Sequence, residues 1–266
     1  MRELTIGKND AGQRLDRFLS KALPLLPPAL AQKYIRIKRV KVNGGRAQRD
    51  QRLSAGDVLQ LYINDEFFDK PSEENLFLTL FKPHLTVVYE DEHLLLADKP
   101  QGMVVHADET EKVNTLINHI QAYLYQKREW NPKWENAFTP ALCNRIDRKT
   151  GGIVIAAKDA ETLRVINEKI RDRELDKRYL CITVGRPRKP EGRVECFLLK
   201  DEQKKQVSVY HKPIPGGKTA ITDYKVLETR GELSLVEIGL ETGRTHQIRA
   251  TMADLDCPLL GDGKYG

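Results

Sequence analysis

The acidic, proline-containing stretch NDEFFDKPSEEN at residues 64–75 constrains this chain more than any other feature, because it separates two segments of different character. It gives a core little to bury and suits a linker, so a domain boundary is expected over residues 64–85. The chain has 266 residues, more than the commonest single domain, and a small domain joined to a larger one fits that length.

In the first segment, RLDRFLSKAL at 14–23 places Leu15, Phe18, Leu19, Ala22 and Leu23 on one helical face, and Pro24 to Pro28 end the pattern. A second helix is expected from Pro28, with Leu30, Tyr34 and Ile37 inward and Lys33, Arg36, Lys38 and Arg39 outward. VKVNG at 40–44 reads as a strand entering an Asn-Gly turn, and GDVLQLYI at 56–63 as a turn into a strand. Charge is unevenly placed: 13 Lys/Arg and 5 Asp/Glu fall in residues 1–63, against 31 and 33 beyond them. All of the net +6 therefore sits in the first segment, which suits a phosphate backbone, an anionic membrane surface or an acidic protein. The order RLDRFL, RIKRVKVNG, GDVLQLYI resembles the S4 RNA-binding domain, a small α/β module. That resemblance implies that Lys33, Arg36, Lys38 and Arg39 meet RNA phosphates with little base specificity. Arg14 and Arg17 on the first helix either assist or are solvated surface.

The second segment alternates short β-like runs (TVVYE, LLLADKP, VVH, IVIAAKD, YLCITVG, AITDYKVLE, LSLVEIGLE) with helical stretches near 111–126 and 159–173. An α+β domain with a mixed, mostly antiparallel sheet is expected over 86–266. The four cysteines, Cys143, Cys181, Cys196 and Cys257, lack CxxC spacing, so neither a zinc site nor a disulfide framework is indicated and a reducing cytoplasm fits. Glu3, Asp10 and Asp16 interrupt any leader, and no apolar run reaches the length of about 18 residues that a membrane span needs.

The most informative segment is NRIDRKTGGIVIAAKD at 144–159, where a charged loop with paired glycines delivers Asp147 immediately before an apolar strand. Arg145 and Arg148 flank Asp147, and nearby cations favour the ionised carboxylate a nucleophile needs. An aspartate among arginines is more often a surface ion pair, so the loop alone decides nothing. Around it stand DKPQGMVVH at 98–106, KRYLCITVG at 177–185 and LETGRTHQIRATMADLDCPLLGDGKYG at 240–266. Together these motifs resemble the RluA family of pseudouridine synthases over nearly all of residues 86–266, a family in which an S4-like module also precedes the catalytic domain.

The resemblance implies that Asp147 is the catalytic aspartate, Tyr179 in KRY the aromatic partner of the target base, and Arg249 in HQIR the basic partner of the aspartate. A tyrosine supplies the flat apolar face and polar edge that stacking under uracil requires. A fixed guanidinium on the expected helix THQIRATMADL would hold a carboxylate ionised and aimed. Arg145 is implied to fill the gap left by an extruded nucleotide, and Arg244 joins the RNA-binding residues. The chain departs from the family where Asn144, Arg145, Ile146 and Asp147 replace the usual His-Arg-Leu-Asp, where Thr150, Gly151 and Gly152 replace Thr-Ser-Gly, and where Cys257 replaces a histidine. It ends at Tyr265-Gly266, earlier than most relatives, so a further C-terminal element is expected.

The implied reaction isomerises uridine in structured RNA after the nucleotide is flipped out, at a cost of a few kcal/mol. Asp147 either attacks C1′ or removes a C2′ proton to give a glycal, and the freed uracil rejoins through C5. The sequence has no GxGxxG loop, Walker-type loop or metal-ligand cluster, and no cofactor or metal is expected. Ribosomal RNA is the favoured partner, with transfer RNA second, for a monomer acting in the cytoplasm away from membranes. Two rival readings are weaker. A purely RNA-binding or ribosome-assembly protein leaves Asp147, Tyr179 and Arg249 together unexplained, and a glycoside hydrolase needs a second carboxylate that the Asp147 motif lacks.

Overall fold

A computed structural model of the chain describes residues 1–68, 72–201 and 203–266, with the backbone alone for 72–75. The chain divides into two compact units, Met1–Glu168 and Lys169–Gly266.

The first unit opens with strand β1 (Arg2–Thr5), helices α1 (Leu15–Ala22) and α2 (Pro28–Arg36), and strands β2 (Val40–Val42), β3 (Gly45–Arg46) and β4 (Val58–Leu61). The strands form one antiparallel sheet in the order β1-β4-β2-β3. Leu15, Phe18 and Leu19 of α1, Ala31, Tyr34 and Ile35 of α2, and Val40, Leu59 and Leu61 of the sheet form one buried cluster. Pro28 begins α2, as its fixed φ and missing N–H allow. The helix stops at Arg36, so Ile37, expected inward, lies 47% exposed while Ile35 takes the buried position. Asn43 (φ 50°) and Gly44 (φ 74°) make the β2–β3 turn, with positive φ at both central residues. The Asn43 side chain closes it by donating to Asp57 (2.8 Å) and accepting from Val58 N (2.8 Å).

A second sheet in the same unit runs β5-β6-β8-β7, built from β5 (Thr86–Glu90), β6 (Leu94–Lys99), β7 (Ala141–Leu142) and β8 (Gly152–Ala157). Helix α3 (Leu116–Gln126) packs Leu116, Ile120 and Leu124 on Leu95, Ala97, Val154 and Ala156 in a core distinct from the first. Thr115 caps α3 by accepting from Asn118 N. The expected run VVH gives no strand, since Val104 forms only an isolated bridge to Thr115. Of the expected linker over 64–85, residues 69–71 lie outside the described residues; Asp65–Phe68 and Ser72–Thr79 form 3-10 turns, and Phe77 is buried against Trp130. Asn136 donates to Thr5 O (2.7 Å) and to Asp10 Oδ2 (2.8 Å), tying the N-terminal module to the loop that follows α3.

Helix α4 (Ala160–Arg171) leads into the second unit. That unit holds β9 (Arg178–Val184), β10 (Glu191–Asp201), β11 (Gln206–Tyr210), β12 (Lys218–Arg230), β13 (Leu233–Leu240) and α5 (Gln247–Asp254). Its strands form a sheet ordered β11-β10-β12-β13-β9, every pairing antiparallel. The α+β architecture with mostly antiparallel sheets is therefore as expected, although β10 and β11 have no counterpart among the expected runs.

Candidate active site

Two separate loops of the first unit converge on Lys99. The last residue of β6, it is fully buried, and its Nζ donates to the carbonyls of Met103 (2.8 Å), Pro100 (3.0 Å) and Arg148 (3.2 Å). An ammonium has three donors, and here all three are taken by backbone. The DKPQG loop and the loop bearing Asp147 are thereby knotted together, and Gly102 N adds a bond to Arg148 O (2.8 Å). Glycine is required at two points of the crossing. Gly102 and Gly152 have φ of +91° and +124°, where a side chain is strained. Burial pushes the Lys99 amine down, while the charge of Asp147 acts in the opposite direction.

Asp147 is partly buried, and its carboxylate makes no hydrogen bond or ion pair among the described residues; its carbonyl accepts from Thr150 N (3.0 Å) in a tight turn. The start of the loop is fixed by Asn144, which accepts from Ile155 N (2.8 Å) and donates to Ile153 O (3.3 Å), so this departure from the family pattern clamps the loop to β8. Arg145 is exposed and has no hydrogen bond or ion pair among the described residues. Desolvation, then the charge of Arg145, lower the pKa of His106. Arg148, by contrast, is occupied: it donates to Thr110 Oγ1 (3.1 Å) beside Asp108.

The second unit carries the other expected residues. Tyr179 sits on β9 opposite Ile238, partly buried against the cluster of Val236, Ile238, Met252 and Cys257. Arg249, on α5, donates through Nε and Nη2 to the two oxygens of Asp262 (2.6 and 2.7 Å), a bidentate fork that fixes the guanidinium plane. Those bonds hold Asp262 down at about 2 against the effect of burial. The guanidinium also lies 5.0 Å from the Tyr265 ring, whose hydroxyl is bonded to His246 Nδ1 and accepts from Val207 N (both 2.8 Å). Gln247 is buried with its amide satisfied: Oε1 accepts from Thr242 and from Arg244 N, and Nε2 donates to Ile221 O and Thr222. Arg244 Nε donates to Thr219 O (2.9 Å). Sequence reading named Asp147 and Arg249 but not Lys99, which holds the Asp147 loop, or Asp262, which holds Arg249.

On the N-terminal module, Lys33, Arg36, Lys38 and Arg39 are all exposed, and their charged groups meet no carboxylate among the described residues. Arg39 lies 5.5 Å from the Tyr34 ring. Arg14 is instead held by Asp16 (2.8 Å), which Arg49 also engages (3.0 Å). Among the described residues no group of three or more His, Cys, Asp or Glu is placed to hold a metal ion, and no helix is long and apolar enough to cross a membrane.

The sequence pattern of the RNA pseudouridylate synthases matches residues 93–254, which include the Lys99 knot, the Asp147 loop, Tyr179 and Arg249. The chain belongs to the RNA pseudouridylate synthase family. It is accordingly an RNA pseudouridine synthase, an isomerase, and an S4 domain matches at residues 13–59. An uncharacterised RNA pseudouridine synthase of Mycoplasma genitalium is 31% identical over 98% of this chain and 80% of its own length. The ribosomal large subunit pseudouridine synthase C of Rickettsia prowazekii is 32% identical over 95% of this chain and 82% of its own. The D enzyme of Borreliella burgdorferi is 30% identical over 100% and 78%. Among solved structures, human RNA pseudouridylate synthase domain containing 4 superposes with a TM-score of 0.57 at 26% identity, over 73% of this chain and 72% of that one. This synthase therefore shares its family with enzymes named for the ribosomal large subunit.

Proposed function

We propose that the enzyme isomerises specific uridines of ribosomal RNA, with Asp147 as nucleophile, after flipping the target nucleotide out of its helix. The observation that carries this reading is the carboxylate of Asp147, which makes no hydrogen bond or ion pair among the described residues and stands on a loop that Lys99 and Asn144 immobilise. A nucleophile needs this combination: fixed in position and not consumed by a structural bond.

Tyr179 forms the platform for the uracil, and Arg249, its plane set by Asp262, is the basic residue that serves the reaction. Arg145, exposed and unpaired among the described residues, enters the space that the flipped nucleotide leaves. Asp147 then acts at C1′ or at the C2′ proton, the C1′–N1 bond breaks, and the uracil turns and rejoins through C5, which loses its proton while N1 takes one up; in the second route the C2′ proton is returned as the new bond forms. Residues 1–63 act as the RNA-binding domain, joined through 64–85 to a catalytic domain over 86–266, with Lys33, Arg36, Lys38, Arg39 and Arg244 on phosphates. The exposed basic residues on and just after α2, which meet no carboxylate among the described residues, support that division, since such cations suit an anionic partner. The ribosomal names of the relatives support ribosomal over transfer RNA as the substrate of an enzyme acting as a cytoplasmic monomer.

Carbodiimide mapping of pseudouridines in a strain lacking the gene tests the substrate. Loss of large-subunit ribosomal sites, restored by the parental gene, is expected. Loss confined to transfer RNA would overturn the ribosomal assignment.

A further inference from the structure

Lys177 stands where the chain enters β9, and its carbonyl accepts from Leu240 N (3.0 Å), extending the β13 ladder by one residue. Its side chain therefore shares a face with Tyr179, two residues and about 7 Å along the strand. The tip of the lysine rests on the ETGR turn: a Cβ placed on Gly243 would lie 4.0 Å from Nζ. The next residue is Arg244, whose guanidinium is anchored through Nε on Thr219 O (2.9 Å).

Lys177 is partly buried and makes no hydrogen bond or ion pair among the described residues. Glu241 is taken by Arg173 (3.2 Å) and Arg193, so it is not free to neutralise the lysine. Burial, then the charges of Arg173 and Arg244, push the Lys177 amine below its usual range. A half-desolvated ammonium facing other cations is unfavourable in the free protein, and an anion with several acceptor oxygens relieves it. Phosphate has that chemistry, and an arginine beside a lysine is a common way of holding it.

We propose that Lys177 and Arg244 form a phosphate subsite that grips the backbone phosphate of the same nucleotide whose base stacks on Tyr179. The proposal rests on the reading of Tyr179 as the base platform. In it, the two ends of one nucleotide are fixed from one strand: the ring by an aromatic face, the phosphate by the cations at the strand's entrance.

Differential lysine methylation of the full chain, read by mass spectrometry, tests this with inorganic phosphate, uridine and uridine 5′-monophosphate as probes. Uridine 5′-monophosphate should slow labelling of Lys177 about fivefold at about four times its dissociation constant. Inorganic phosphate should protect more weakly, and uridine should leave Lys177 labelling unchanged. Equal protection by phosphate and the nucleotide would reduce the site to a general anion patch and overturn the nucleotide assignment. Protection by uridine equal to that by the nucleotide, or protection by none of the three, would overturn the phosphate site. As a second readout, Lys177→Met should abolish the thermal stabilisation given by the nucleotide. Tyr179→Ala separates the two layers: protection falling to the level of inorganic phosphate supports both, whereas full protection retained refutes stacking while leaving the phosphate subsite standing.

Discussion

Replacing Lys99 by methionine removes the ammonium that knots the two active-site loops while keeping a stem of similar length. Three charge-assisted bonds disappear, to the carbonyls of Pro100, Met103 and Arg148. At about 1.5–3 kcal/mol each the gross loss is roughly 5–9 kcal/mol. Against this, several kcal/mol return because a buried charge no longer has to be desolvated. The expected net destabilisation is about 2–3 kcal/mol, which for a chain of this size lowers Tm by roughly 5–10 °C. The catalytic effect is larger than stability alone implies, because Arg148 O belongs to the residue after Asp147, and a displacement of about 1 Å in a reacting group can cost about 100-fold. Differential scanning fluorimetry checks the first part, and single-turnover kinetics below the lowered Tm checks the second. A variant with parental Tm and parental rate would show that the knot holds nothing the reaction needs.

Arg145→Ala should slow turnover severely on a duplex-embedded uridine and less on an unpaired loop uridine, since only the first leaves a stacked gap to fill; equal losses with normal 2-aminopurine signals would remove that role. Changing Lys33, Arg36, Lys38 and Arg39 together to glutamine should lower the slope of log affinity against log salt by about 0.7–0.9 for each phosphate no longer neutralised, and an unchanged slope would leave the α2 face as plain surface. Burial alone would raise Glu90, but hydrogen bonds from Lys127, Tyr123 and Lys158 prevail and bring it to about 2. Because its folded pKa is depressed, this group's contribution, on the order of 3 kcal/mol, is present above the unfolded value of 4.5 and lost as pH falls toward 2. Acid unfolding of Glu90→Gln should therefore be shallower across that window than that of the parent, and parallel titrations would argue against the network.

The two-helix pattern and the Asp147 loop were legible because each depends on neighbours in sequence: helical periodicity in one, a charged turn feeding an apolar strand in the other. Ile37 was misplaced because its apolar character fits the periodicity, but the helix ends one residue earlier and turns it out. Strands β10 and β11 escaped notice because polar residues break their apolar runs: Arg193 and Glu195 alternate with Val194 and Cys196 in β10, and Gln206 and Ser208 with Val207 and Val209 in β11. Lys99 reads in sequence as an ordinary charge before a proline. Its burial exists only because Arg148, 49 residues away, brings a carbonyl to it. The same holds for Asp262, whose hold on Arg249 spans 13 residues and a change of element.

The most direct test is single-turnover isomerisation by purified Asp147→Asn, with RNA affinity measured on the same preparation. Removing the nucleophile while sparing the binding surface should abolish product formation and leave affinity within about twofold of the parent. Product formation near the parental rate would contradict the assignment of Asp147.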